Sequence, residues 1–207
     1  MGANLPRSAT TTTVDFGPGI TVDRVVRSSA DSISLVVTVD SAADSGARDV
    51  FIEGATLQAG ALVYKEISRI VVAPLSGLAR VGGNVFPKQY QQFDAIAWDN
   101  GADKKPNTDD DLEIGPVPAT WSMDEYGVTY DDDDVKWVGV IDKNGLFTPA
   151  LDGPNPQRVG NRNNVGDVWI VATYQPPGKT GRPLTARAML VVTVALYIRF
   201  DPWRIAP

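Results

Sequence analysis

The stretch DSISLVVTVD, residues 31–40, alternates so regularly that it admits one kind of regular structure. Ile33, Leu35, Val37 and Val39 fall on one side, with Ser34 and Thr38 on the other. A spacing of two is the side-chain period of a β-strand, not of a helix. Shorter stretches with strand character flank it: ITVDRVVR, RDVFIEG and LVYKEIS, then RIVVAPL, YQQFDAIAW, PATWSM, VKWVGVID, VGDVWIVATY and TARAMLVVTVALYIRF. Gly, Pro, Ser and Asp punctuate them, and helical periodicity is hard to find. The pattern predicts an all-β chain built as sandwiches or barrels.

Two units are expected, residues 1–67 and 68–207. In YKEISRIVVAPLSGLARVGG one strand passes into the next with no Pro- or Ser-rich linker, which predicts closely packed units. The 43% hydrophobic content supplies enough apolar material for cores.

The chain has no His and no Cys. This excludes His-containing hydrolase triads, His or Cys metal sites, thiol chemistry and haem attachment through C-x-x-C-H. Any chemistry falls to carboxylates, Lys, Tyr, Ser/Thr or an oxygen-bound cation. The net charge of −6, with no basic patch, argues against nucleic acid or an anionic membrane as partner. No apolar run is long enough to span a membrane, and residues 1–13 carry no secretion-signal pattern.

Charge is unevenly placed. From Asp99 to Asp134 there are 12 acidic and 2 basic residues, whereas Arg158, Arg162, Lys179, Arg182, Arg187, Arg199 and Arg204 lie beyond. Opposed acidic and basic faces pair internally or orient a partner. Within WDNGADKKPNTDDDLEIG, Asp99, Asp103, Asp109, Asp110 and Asp111 offer oxygen ligands suited to Ca2+. The spacing is wrong for an EF-hand: counted from Asp99, position 3 is Gly101 and position 6 is Lys104. The competing reading is a solvated strand-to-strand insertion. DDDD at 131–134 reads as a solvated turn before a strand VKWVGV, and its consecutive carboxylates do not suit glycoside hydrolysis. In ALDGPNPQRVGNRNNVGDVW, Arg158, Arg162 and Asn163 are candidate partner contacts, and so is Trp203 in the tail. The alternative for this loop is that it folds back on its acidic neighbour. GKTGR at 178–182 lacks the phosphate-loop frame and reads as a hairpin turn. Trp121, Trp137, Trp169, Phe93 and Phe147 are expected in the core.

QFDAIAW, ATWSM, VGVIDKNGLFTPA, VGDVWIVATY and ARAMLVVTV occur in the order seen in group 2 bacterial immunoglobulin-like domains, which the second unit resembles. Trp121-Ser122 resembles that family's central-strand pair, and the Asp142–Ala150 segment its hairpin. The segment GANLPRSATTTTVDFGPGITV resembles an IPT/TIG-type immunoglobulin-like domain whose first strand would precede Gly2. That departure suggests the tail of something longer and predicts an exposed sheet edge. The fold expected is thus two tandem immunoglobulin-like β-sandwiches.

A longer likeness spans QQFDAIAWDNGADKKPNTDDDLEIGPVPATWS and DDDDVKWVGVIDKNGLFTPALDGPNPQRVGNRNNVGDVWIVATY. These segments resemble the C-terminal region of the α subunit of quinohemoprotein amine dehydrogenase; the likeness covers most of 14–200 and is strongest over 89–175. It implies a non-catalytic, subunit-contacting region of a periplasmic complex. Haem would lie in a cytochrome domain, and the quinone cofactor in a small subunit beside a propeller subunit. No cofactor ligand is carried onto this chain. The rival functions are a free-standing surface or adhesin-type module, Ca2+-stabilised, and a carboxylate-based hydrolase.

Overall fold

The computed structural model describes residues 4–127, 133–178 and 180–195. Among these, the regular structure is strand apart from two single-turn 3-10 segments, Asp134–Lys136 and Val159–Asn161. No helix of the described residues is long and apolar enough to cross a membrane. The chain divides into two compact units, one of residues 1–68 and 99–114, the other of 69–98 and 115–207.

The first unit holds β1 (Val14–Asp15), β2 (Ile20–Ser28), β3 (Ile33–Val39), β4 (Gly46–Ile52) and β5 (Ala55–Val63). One sheet has the order β1-β4-β5 and the other pairs β2 with β3, all antiparallel. Glu53 and Gly54 both take positive φ between the partners Ile52 and Ala55. That is the backbone twist a two-residue hairpin requires. Among the described residues the unit's buried apolar side chains are few: Val14, Ala43, Val50 and Val63.

The second unit contains β6 (Arg69–Ala73), β7 (Ser76–Arg80), β8 (Gln91–Gln92), β9 (Asp94–Asp99, whose last residue counts with the first unit), β10 (Leu112–Pro116, shared likewise), β11 (Thr120–Glu125), β12 (Gly139–Ile141), β13 (Leu146–Pro149), β14 (Gly166–Tyr174) and β15 (Leu184–Thr193). Its sheets are β10-β9-β6, β11-β14-β15-β7 and β12-β13-β8, with β7 running parallel to β15. Alternation places Val168, Ile170 and Ala172 of β14 and Ala188, Leu190 and Val192 of β15 on one buried face. Ile70 and Val72 of β6, paired with Ala97 and Ala95 of β9, pack against it. Phe93, Val138 and Phe147 complete a core in which each full-sized side chain contributes about 1.5–3 kcal/mol by leaving water.

The Asn144-Gly145 turn forms as expected, within a three-residue loop. Asp142 Oδ1 accepts from the N–H groups of Asn144 and Leu146, at 2.8 and 3.0 Å. Gly145 sits at φ +80°, and a β-carbon there would overlap the Phe93 carbonyl. Other expectations need correction. VKWVGV does not begin as a strand: Asp134–Lys136 form the 3-10 turn, and pairing starts at Gly139. Phe93 and Phe147 are core residues, but Trp121, Trp137 and Trp169 are only half-buried. Trp169 falls on the phase of β14 opposite to Val168 and Ile170, so it lies on the sheet's other face.

Candidate contact loops

Two polar loops carry the residues singled out by sequence, and in both a buried acid does the organising. The first follows β9. The inner phase of that strand runs Ala95, Ala97, Asp99, so the alternation buries a carboxylate, 2% exposed. Its Oδ2 accepts from the N–H groups of Lys65 (2.8 Å) and Glu66 (3.3 Å), and its Oδ1 from Gly101 (3.2 Å). Three donors compensate the lost hydration of the charge.

Within the exposed part of this loop the carboxylates cap turns. Asp110 Oδ2 accepts from Ala102 N (2.6 Å) and Asp103 N (3.2 Å), and its Oδ1 from the Thr108 hydroxyl (2.9 Å). The Thr108 hydroxyl, followed by the N–H groups of Asp103 and Ala102, holds the Asp110 carboxyl below the usual carboxylate range. Asp103 Oδ1 accepts from Lys105 N, and Asp111 Oδ2 from Asn107 N. Asp109 is exposed. Gly101, at φ +64°, leaves no room for a β-carbon beside the Asp110 carboxylate. Lys104 pairs with Glu66 at 3.3 Å. Of the five aspartates considered for Ca2+, Asp99, Asp103, Asp110 and Asp111 turn oxygens toward backbone N–H groups, and Asp103, Asp110 and Asp111 also share the Thr108 hydroxyl. Among the described residues no group of three or more acidic side chains is placed to hold a metal ion.

The second loop runs from Leu151 to Val165 and is centred on Arg158. This residue is 5% exposed, which corrects its assignment as a surface contact. Its Nη1 donates to the carbonyls of Asn163 and Val165, both at 2.8 Å, and its Nη2 to Asp134 Oδ1 at 2.5 Å. Asp134 is 6% exposed and also accepts from Asp167 N at 3.2 Å. Of the run DDDD, then, the fourth member is a buried ion-pair partner rather than a solvated acid; residues 131 and 132 lie outside the described set. The loop's amides knit it further: Asn155 Nδ2 donates to Asn164 Oδ1, and Asn164 Nδ2 to the Leu151 carbonyl. Arg162 is exposed, donating Nε to Val159 O, and Asn163 is half-buried. Trp203 lies outside the described residues.

A feature the sequence reasoning missed is an aromatic–cation stack on the outer face of β14 and β15. The Arg187 guanidinium lies 4.4 Å from the Trp169 ring centroid, and Tyr126 packs on the same indole at 4.8 Å. Arg187 pairs with Val171 across the ladder, so its reach to Trp169 is the diagonal one. The signal was present in the spacing of VGDVWIV and TARAML, once the pairing register is known.

With no His or Cys, the chain has no residue for covalent haem attachment or for a proximal imidazole. Among curated proteins none matches it. Two family models do. Residues 1–65 match quinohemoprotein amine dehydrogenase, alpha subunit domain III, and residues 70–203 match domain IV of the same subunit. The chain belongs to the quinohemoprotein amine dehydrogenase α-subunit family, through that subunit's domains III and IV.

Proposed function

We propose that this chain is a non-catalytic, subunit-contacting region of a periplasmic amine dehydrogenase α subunit. The observation that carries the reading is the pair of consecutive domain matches, III then IV, along the chain. The site chemistry supports it. Asp99, Asp103, Asp110, Asp111 and Asp134 spend oxygens on fixing backbone, which is the work of a scaffold. Rigid loops lose little entropy on docking, and the exposed acidic segment 102–110 and Arg162 supply charge for orientation. Haem and the quinone cofactor belong elsewhere in the complex, and the partners are its cofactor-bearing and propeller parts.

The test is co-expression of the chain, carrying an affinity tag and exported to the periplasm, with the remaining domains and subunits of such an enzyme. Stoichiometric co-purification is expected, together with no amine oxidation by the chain alone. Recovery of the chain free of all of them, or amine turnover by it in isolation, overturns the proposal.

A further inference from the structure

Asn-Gly occurs twice in the chain, at 100–101 and at 144–145. In this dipeptide the asparagine side chain is open to attack by its own backbone. Glycine has no side chain to shield its nitrogen, and it restricts least the dihedral angles through which a ring must close. At 144–145 the Gly145 nitrogen would add to Asn144 Cγ, its proton passing to hydroxide, and the side-chain nitrogen would leave as ammonia. Water then opens the five-membered imide at either carbonyl, to aspartate or to isoaspartate, with no change of oxidation state. Isoaspartate adds a methylene to the backbone, in a turn with no room even for a β-carbon at Gly145.

Intramolecular attack is fast only where the reacting atoms reach a near-attack geometry. The Asn144 side chain is exposed and, among the described residues, makes no hydrogen bond, so Cγ can turn. The peptide unit it must meet is held on every side. The Asn144 N–H donates to Asp142 Oδ1 at 2.8 Å, and the Asn144 carbonyl accepts from Gln92 Nε2 at 2.8 Å. The Gly145 N–H donates to the Asp142 carbonyl at 3.1 Å, and the Gly145 carbonyl accepts from the Phe93 N–H at 2.9 Å. Gly145 itself is buried. Rotation about the Asn144 Cα–C bond carries the Asn144 carbonyl oxygen and the Gly145 nitrogen together. Ring closure therefore breaks the bonds to Gln92 and to the Asp142 carbonyl in one movement. An N–H engaged with a carbonyl also gives up its proton less readily, and only the deprotonated nitrogen attacks.

We propose that Asn144-Gly145 is a latent deamidation site, kept unreactive by a clamp in which Asp142 and Gln92 fix the peptide unit between the two residues. Reaction then requires local opening of the turn. The test incubates the full chain at mildly alkaline pH, native and in concentrated urea. Peptide mass mapping follows deamidation at both dipeptides, and an isoaspartyl methyltransferase assay counts isoaspartate. Loss of Asn144 at least about tenfold slower in the native chain than in urea is expected. Asp142→Ala and Gln92→Ala should each speed the native loss at Asn144 by about threefold or more and leave the rate at Asn100 unchanged. Gln92, exposed on the edge strand β8, is the milder variant should Asp142→Ala unfold the second unit. Equal rates at Asn144 in native and urea-treated chain, or native rates that neither variant changes, overturn the proposal. So does equal acceleration at Asn100 and Asn144 in both variants, since general unfolding rather than a released clamp would then expose the site.

Discussion

Replacing Arg158 with Met isolates the contribution of the buried pair. The substitution keeps the volume of the side-chain stem but removes three charged hydrogen bonds, two to the carbonyls of Asn163 and Val165 and one to Asp134. Asp134 would remain almost fully buried with its charge no longer met by the guanidinium. Removing one partner from such a pair costs about 3–5 kcal/mol, because the remaining charge keeps its desolvation penalty. For a unit of this size each kcal/mol lowers the melting temperature by about 3–4 °C. The expected fall in thermal denaturation followed by circular dichroism is therefore about 10–20 °C. Arg158→Met combined with Asp134→Leu should recover part of that loss, since no unpaired charge is left, and the double-mutant cycle should show strong coupling. Gly166→Ala should reproduce much of the single-mutant effect, because its β-carbon would overlap the Asp134 carboxylate. Arg162→Met, on the same loop but exposed, should change stability by no more than about 0.5 kcal/mol. A cost below about 1 kcal/mol for Arg158→Met, or additivity of the two substitutions, would refute the view that this ion pair holds the loop.

Asp99→Ala should cost about 3 kcal/mol in urea denaturation, by stranding the amides of Lys65, Glu66 and Gly101, whereas Asp109→Ala should be silent. Equal effects would remove the distinction between the buried and the solvated acid. Asp110 should titrate below its ordinary value of 3.8 when followed by carboxyl NMR shifts. Because its folded-state pKa is depressed, its contribution to loop order is fully present above the unfolded value. That contribution is lost as pH falls through the folded one. A midpoint above 3.8 would contradict the hydrogen-bond assignment. Millimolar Ca2+ should leave the melting temperature unchanged within about 1 °C, since Asp99, Asp103, Asp110 and Asp111 already accept from protein donors; saturating a site at a hundred times its Kd would add about 2.7 kcal/mol. A rise of several degrees that chelator reverses would establish a calcium site.

The all-β architecture was readable because period-two alternation is a local property that no tertiary contact needs to supply. Ile33, Leu35, Val37 and Val39 announced β3, and Asn144-Gly145 announced the β12–β13 turn. What failed was the choice of phase where both phases are apolar. In VGDVWIVATY, Val168, Ile170 and Ala172 compete with Trp169 and Val171, and preferring the largest side chain picked the outward face. Burial of single charges was also illegible. Nothing within DDDD distinguishes Asp134 from its neighbours, because what selects it is Arg158, 24 residues away. Asp99 could have been found: it continues the inner phase of Ala95 and Ala97, and an acid on that phase must meet donors. Its donors at residues 65 and 66 are distant in sequence, which hid the role.

The most direct measurement of the proposed role is hydrogen–deuterium exchange of this chain alone and within the assembled amine dehydrogenase. Residues 102–109 and 156–162 are mostly exposed, so protection acquired there on assembly is readily seen. A contact role predicts exchange slowed by at least about tenfold in one or both loops. Unchanged exchange throughout both loops, in a complex that demonstrably contains the chain, would contradict it.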